Sequence, residues 1–194
     1  MDNLRTHLQH AGLTFTDDLF GKLQRYSGHL FKWNRVHNLT GVKNEAELNA
    51  FIYDALYPIS FLPPVKQAMD IGTGAGFPGL ILAMALPQTH FTLVEPLKKR
   101  ASFLQFVKAD LGLDNITVKG CRVEELESEP MELITSRAVT DTALLLKLSQ
   151  PFMGQGTLLL FYKGEKVFEE VDPSLKHKII QTDKRHYLLI ENPS

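Results

Sequence analysis

Met69-Asp70-Ile71-Gly72-Thr73-Gly74-Ala75-Gly76-Phe77-Pro78-Gly79, followed by the apolar residues 80–83, is the stretch that decides the fold. We interpret it as the end of a buried strand, a glycine-rich turn and a helix that begins at Pro78, because proline is favoured at the first helical position. The glycines at 72, 74, 76 and 79 lack Cβ atoms and would let a ligand approach the backbone. We therefore expect the N–H groups of the helix start to face a nucleotide-like cofactor.

Strand and helix patterns alternate on the C-terminal side of this stretch. Strands are predicted at 66–71, 90–94, 115–118, 132–136, 156–162, 177–182 and 186–191, and helices at 78–86, 97–111, 142–150 and 165–170. This alternation is typical of an α/β fold with a doubly wound, mostly parallel, seven-stranded sheet, whose last two strands form an antiparallel hairpin at one edge.

Three helices are predicted before the sheet. The first covers 2–11, the second starts at Thr16-Asp17-Asp18, and the third runs from Glu45 to Tyr57. Pro63-Pro64 marks the passage into the sheet. We expect an N-terminal helical extension over 1–64 and the main domain over 65–194, together forming one compact unit.

Composition narrows the class of protein. The 194 residues carry a net charge of −1, which does not favour a protein that holds naked nucleic acid by bulk charge. The single cysteine, Cys121, excludes internal disulfides and multi-cysteine zinc sites, and no metal site is expected. The N-terminus resembles no signal peptide, and the longest apolar run is too short to span a membrane. The sequence therefore predicts a cytoplasmic protein.

Two cofactors compete for the glycine turn. The segment 74–79 fits G-x-G-x-x-G, and Glu95 follows Gly74 by 21 residues, which is the spacing of a dinucleotide-binding motif. Proteins that bind S-adenosylmethionine instead place an acidic residue at the strand end, here Asp70, before G-x-G-x-G. A carboxylate there would repel a pyrophosphate and attract the ammonium and sulfonium groups of S-adenosylmethionine. Glu95 can bind ribose hydroxyls in either case.

Chain length also favours S-adenosylmethionine. The residues that follow Gly79 are enough to complete one doubly wound sheet but not to add the substrate domain of a dehydrogenase. An NAD-binding, dehydrogenase-like protein remains the alternative, and a non-enzymatic RNA-binding module that senses the cofactor is a third hypothesis.

Further motifs carry a family resemblance over essentially the whole chain. They are Lys32-Trp33-Asn34, Asn38-Leu39-Thr40, the stretch 69–79, Lys99-Arg100 with Phe103-Leu104, Arg122-Val123-Glu124-Glu125, Ser136-Arg137-Ala138, Lys163-Gly164 and Arg185-His186. In this combination the sequence resembles the bacterial small-subunit (16S) ribosomal RNA guanine-N7 methyltransferases, the glucose-inhibited division protein B family. The resemblance implies a monomeric enzyme that uses S-adenosylmethionine and acts on 16S rRNA within the small ribosomal subunit.

The same resemblance assigns residues to the cofactor. Gly72 and Phe77 would line the S-adenosylmethionine site, Val123 and Glu124 would flank the adenine, and Arg137 would close the pocket. With the residues argued from the turn itself, the expected cofactor set is Asp70, Gly72, Gly74, Gly76, Phe77, Glu95, Val123, Glu124 and Arg137. Members of the family often carry a histidine where this chain has Phe51.

The expected RNA contacts are cations and one loop residue. Lys98, Lys99 and Arg100 begin a helix, where positive charge opposes the helix dipole and favours a phosphate-binding role. The full expected set is Arg25, Lys32, Asn38, Lys98, Lys99, Arg100, Lys163 and Arg185. Because guanine N7 presents a lone pair with no proton to remove, no catalytic base is expected, and positioning would supply the rate enhancement.

Overall fold

The computed structural model describes residues 1–137, 140–182 and 185–191. Ala138, which belongs to one of the motifs above, lies outside the described residues. The α-helices are α1 (Asp2–His10), α2 (Asp17–His37), α3 (Glu45–Leu56), α4 (Gly79–Ala85), α5 (Lys98–Leu111), α6 (Thr142–Ser149) and α7 (Val167–Glu170). The strands are β1 (Gln67–Ile71), β2 (His90–Val94), β3 (Ile116–Lys119), β4 (Met131–Arg137), β5 (Met153–Lys163), β6 (His177–Gln181) and β7 (His186–Glu191).

The strands form a seven-stranded sheet in the order β3-β2-β1-β4-β5-β7-β6. The first five strands are parallel, and β7 runs antiparallel to both β5 and β6. The predicted doubly wound sheet with an antiparallel edge hairpin is confirmed. Strand order reverses between β1 and β4, and an open α/β sheet binds its ligands at the carboxyl ends of the strands at such a point.

Helix ends follow local chemistry. The Asn44 side chain accepts a hydrogen bond from the Glu47 N–H, and Glu47 accepts one from the Lys43 N–H, so a reciprocal cap starts α3. Helix α4 begins at Gly79, one residue later than expected. Pro78 is its N-cap, because the Pro78 carbonyl accepts the first helical hydrogen bond from Leu82.

Both faces of the sheet are buried, and a different set of helices packs on each. One face contributes alternate strand residues such as Ala68, Phe91 and Leu160 to a core shared with α1 to α5. The other face contributes Met69, Ile134 and Leu188 to a core shared with α6 and α7. Since the extension shares its core with the sheet, its packing fixes where it meets the carboxyl edge.

Helix α3 is also tied to the distant antiparallel strands. The Tyr162 hydroxyl donates to the Ala55 carbonyl at 3.0 Å, and the Tyr187 hydroxyl donates to the Asp54 carbonyl at 3.1 Å. The Asp54 carboxylate accepts a hydrogen bond from Arg185 Nε at 2.7 Å. These contacts hold α3 against β5 and β7.

Candidate active site

A cavity of about 630 Å³ opens at the carboxyl ends of β1, β2 and β4. Its walls come from the glycine turn, from the ends of β2 and β4, from α6 and from the N-terminal extension. The lining residues are Leu39, Thr40, Gly41, Phe51, Ile71, Gly72, Thr73, Gly74, Ala75, Phe77, Val94, Glu95, Pro96, Leu97, Arg100, Arg122, Val123, Glu124, Arg137, Thr140, Leu144 and Leu148.

The floor of the cavity is the glycine turn after β1. The N–H groups of Gly72 and Thr73 both donate to the Val94 carbonyl, at 2.9 and 3.1 Å, so the turn continues the sheet. Gly74 has φ +62°, and a Cβ there would project into open space. Gly72 and Gly74 both line the cavity, and their role in binding a ligand stays a prediction.

Gly76 and Gly79 serve packing. A Cβ on Gly76 would lie 2.7 Å from the Leu80 side chain, and one on Gly79 would lie 2.5 Å from Asp70 Cβ. Neither residue lines the cavity. The expectation that all four glycines clear space for a ligand is thus wrong for these two, since Gly76 makes room for the Leu80 side chain and Gly79 makes room for Asp70 of β1.

Asp70 lies beneath the turn with no exposed surface. Its Oδ2 accepts a hydrogen bond from the Gly79 N–H at 2.8 Å, and its Oδ1 accepts one from the Thr135 hydroxyl at 2.8 Å. Burial raises the pKa of this carboxyl to about 6, although the hydrogen bonds oppose the shift. The Gly79 N–H thus points at Asp70 and not at a ligand, contrary to expectation, and Asp70 shapes the site from behind.

Glu95 shapes the turn from the opposite side. Its Oε2 accepts from the Gly74 N–H and its Oε1 from the Leu97 N–H, both at 2.9 Å. Glu95 is buried but lines the cavity. Val123 and Glu124 lie in a short 3-10 turn, Val123–Glu125, and line the same wall.

Arg137, at the end of β4, is one of three arginines that line the cavity, with Arg100 and Arg122. Its guanidinium carbon lies 3.7 Å from the ring centroid of Phe51 and 5.7 Å from that of Phe77. Its Nη1 is buried and has no hydrogen-bond partner among the residues that the structure describes. Burial, and then the positive charge of Arg185, lowers the pKa of Arg137 to about 10, so it is charged at neutral pH. A buried charged donor without an acceptor favours an anionic ligand.

The extension builds the wall opposite the turn. The Asn34 side chain both donates to the Thr40 carbonyl and accepts from the Thr40 N–H, at 3.0 and 2.9 Å, which fixes the loop after α2. Arg100 Nε donates to the Leu39 carbonyl at 3.0 Å. Asn38, at the end of α2, has the left-handed φ of 51° but does not line the cavity.

Tyr26 joins the extension to the glycine turn. Its hydroxyl, fully buried, donates to the Ala75 carbonyl at 2.8 Å, and its ring meets the Phe77 ring edge-on at 5.9 Å. Burial raises the pKa of Tyr26, so the phenol remains a donor. Sequence periodicity placed Tyr26 only on an apolar stripe, because a contact across 49 residues leaves no local pattern.

The cations expected to contact RNA fall into two groups. Arg25 pairs with Asp110, Lys163 with Glu170 and Arg185 with Asp54, at 2.7 to 3.0 Å, so each already has an acidic partner. A second group has no ion pair among the described residues and lies on α2 and at the start of α5: Lys32, Lys98, Lys99 and Arg100. Only Arg100 of all these lines the cavity.

These residues fit S-adenosylmethionine. The unpartnered Nη1 of Arg137 suits a carboxylate, Glu95 suits ribose hydroxyls, and the apolar wall with Val123 and Leu97 suits an adenine ring. Among residues 1–137, 140–182 and 185–191, no cluster of His, Cys, Asp and Glu could hold a metal ion, and no helix is long and apolar enough to cross a membrane.

Comparison with known proteins agrees with this geometry. The model of the GidB family, rRNA small subunit methyltransferase G, matches residues 20–190. The chain belongs to this family. A family relative from Wolinella succinogenes, named ribosomal RNA small subunit methyltransferase G, is 48% identical over 97% of both chains. A relative of the same name from Aliarcobacter butzleri is 41% identical over 97% of this chain and 98% of its own.

Solved structures place the family in the methyltransferase fold. A putative O-methyltransferase from Klebsiella pneumoniae superposes with a TM-score of 0.64 at 18% identity, over 98% of this chain and 96% of that one. A methyltransferase from Geobacter sulfurreducens superposes with a TM-score of 0.61 at 12% identity, over 100% of this chain and 97% of that one. The predicted fold and family are confirmed, and nothing in these similarities supports the NAD-binding alternative.

The raised pKa of Asp70 predicts a pH-dependent stability. Because the folded-state pKa, about 6, exceeds the ordinary value of 3.8, the native state favours the protonated carboxyl. This contribution is complete below about pH 4 and is lost as the pH rises through 6, and it amounts to about 3 kcal/mol. The free energy of unfolding, measured in urea, should therefore rise for the wild type as the pH falls from 7 to 4. Asp70→Asn cannot titrate at this position and should lack this gain. Parallel pH profiles would contradict the assignment.

Tyr26→Phe should weaken S-adenosylmethionine binding, because the Ala75 carbonyl of the turn loses its donor. We expect the Kd measured by calorimetry to rise about fivefold, with a loss of about 1 kcal/mol in stability. Thr157→Val is the matched control, since it deletes another buried hydroxyl that donates to a backbone carbonyl, that of Met131, at the opposite end of β5 from the cavity. It should cost similar stability and leave the Kd unchanged, so an equal rise in both variants would refute the role of Tyr26.

Proposed function

We propose that this chain transfers a methyl group from S-adenosylmethionine to N7 of a specific guanosine in 16S ribosomal RNA. The observation that carries the proposal is the match of the rRNA small subunit methyltransferase G model to residues 20–190, joined to a cavity with an open cationic donor at Arg137.

The cofactor-binding roles follow from the cavity wall. Arg137 would pair with the methionine carboxylate, Glu95 with the ribose, and Val123 with Glu124 would flank the adenine. Gly72 and Gly74 provide bare backbone, while Asp70 and Gly76 act indirectly by fixing the turn. When bound, S-adenosylmethionine supplies a methyl group that its sulfonium already activates.

The protein's part in the reaction is to position the base. Guanine N7 needs no deprotonation, so alignment within the cavity can supply several kcal/mol without a catalytic base. Phe77 and Phe51 meet edge-on at 5.6 Å and both line the cavity. Because the Arg137 guanidinium already lies over the Phe51 ring, Phe77 is the ring that would favour the positive charge formed on the methylated purine.

RNA would approach from the side of the extension. Lys32, Lys98, Lys99 and Arg100 would contact phosphates there, and the Asn38 loop would border the base. Three further cations already form ion pairs, so their charge is partly neutralised and they would attract RNA phosphates less: Arg25, Lys163 and Arg185. A net charge of −1 favours an assembled small subunit over free RNA as the substrate.

The proposal also covers the domain organisation, the oligomeric state and the location of the enzyme. We take residues 1–64 and 65–194 as parts of one unit, because the extension shares its core with the sheet. The enzyme would act as a cytoplasmic monomer without metal, away from membranes.

Methyl transfer tests the proposal directly. Wild type with labelled S-adenosylmethionine should label small subunits that lack the modification, and should label protein-free 16S RNA less. Digestion should give a labelled nucleoside that matches 7-methylguanosine in retention and mass. Label at any position other than guanine N7 would refute the proposal. So would an absence of label in an experiment where a different rRNA methyltransferase, run as a positive control, labels its own substrate.

Phe51→Leu tests how Arg137 is held. Losing the ring beneath the guanidinium should raise the Kd for S-adenosylmethionine about five- to thirtyfold, since a partly buried cation–π pair contributes about 1–2 kcal/mol. Phe20→Leu is the matched control, because Phe20 lies under Arg5 at 4.0 Å, outside the cavity lining. It should leave the Kd unaltered. A Kd unaltered in Phe51→Leu as well would show that the ring does not position Arg137.

A further inference from the structure

A row of aromatic rings follows the seam between α2 and α5. The His29 and Phe106 rings meet edge-on at 4.8 Å, Phe106 and Trp33 lie 5.5 Å apart at an angle of 33°, and Trp33 and His37 lie 5.5 Å apart. Phe106 is 38% exposed, although its helix packs on the core. Neighbouring Val36 is 75% exposed.

This row points towards the cavity. Helices α2 and α5 run antiparallel, because residue 29 contacts residue 110, residue 33 contacts residue 106, and residue 39 contacts residue 100. Beyond His37 the chain turns at Asn38 into residues 39–41, which line the cavity. The rings thus lead along the surface to the cavity rim.

Charge on both helices suits a polyanion. Residues 19–44 and 96–109 contain no Asp or Glu. Their basic residues are Lys22, Arg25, Lys32, Arg35, Lys43, Lys98, Lys99, Arg100 and Lys108. Lys32, Arg35, Lys98 and Lys99 are exposed and, within the part of the chain that the structure describes, have no ion pair. Arg25 and His29 pair with Asp110 at the far end of the row.

We propose that Phe106, Trp33 and His37 form a stacking track for unpaired nucleotides that flank the target guanosine. Phe106 is exposed, and Trp33 and His37 are half-buried. Accessible rings between cations are the combination that binds single-stranded RNA, because bases stack on the rings while phosphates meet the charges. The proposal rests on the rRNA methyltransferase function and names the surface that delivers its substrate. A ribosomal protein face would not need unpaired cations on both sides of the rings.

Trp33 is the chain's single tryptophan, so its fluorescence reports on the track in the unmodified protein. A single-stranded RNA oligonucleotide of mixed sequence should quench this fluorescence at low salt. The same sequence in a duplex, and heparin, should quench it far less, because neither offers unstacked bases. No quenching by the single strand, or equal quenching by all three, would overturn the track.

Phe106→Leu tests the track in catalysis, since leucine keeps apolar packing but lacks a stacking face. We expect the KM for unmodified small subunits to rise about tenfold, the size of one lost base stack, with the Kd for S-adenosylmethionine and the melting temperature nearly unchanged. Phe106→Tyr should restore the KM. Phe168→Leu is the control, because Phe168 is also exposed and meets a histidine ring edge-on at 5.2 Å, outside the seam.

Salt dependence separates stacking from charge. Phe106→Leu should weaken RNA binding without changing the slope of log K against log salt, whereas Lys99→Gln should reduce that slope by about one. A wild-type KM in Phe106→Leu would overturn the track while leaving methyl transfer intact. A raised KM for subunits without quenching by single-stranded RNA would also overturn it, in favour of a protein contact. Failure of wild type to methylate any subunit would instead refute the proposed function.

Discussion

The buried carboxylate of Asp70 is the constraint on which the site depends. It bonds to the first N–H of α4 and to the Thr135 hydroxyl of β4, so one side chain sets the helix start, the turn and the gap between the two central strands. Burying it costs free energy, as its raised pKa indicates. Gly79 makes this contact possible, since any Cβ there would collide with Asp70. The bare backbone of the cavity floor lies in the same turn, at Gly72 and Gly74.

The opposite wall depends on the N-terminal helices. Tyr26 holds the turn from below, the Asn34 side chain fixes the rim at Thr40, and Phe51 lies under the Arg137 guanidinium. Without these helices, the cavity at the carboxyl edge of the sheet would be open on one side. The extension closes this side, and its helix α2 places Lys32 beside the unpaired cations at the start of α5. In the proposed function, this combined surface meets the RNA.

Much of the fold could be predicted from the sequence because its signals are local. Strand and helix periodicity gave the elements within a few residues, and the glycine turn with Asp70 and Glu95 identified the cofactor edge. Contacts between distant segments could not be predicted. Pairing of Arg185 with Asp54 joins residues 131 positions apart, and the burial of Asp70 depends on Leu93 and Thr135 closing around it. Such contacts decide that Asp70 acts from behind the turn and that Arg185 is already paired.

The tie between α3 and β7 bears on how the enzyme matures. Phe51 and Asp54 share a helix, and Asp54 is held by Arg185 and Tyr187. During synthesis, a nascent chain that has emerged only through β5 already has the Tyr162 bond to Ala55 and the packing of α3 on α4, but it lacks the bonds from Arg185 and Tyr187 to Asp54. The arrival of β7 therefore adds the final hydrogen bonds to the helix that carries Phe51, and it completes the support of the cavity wall under Arg137.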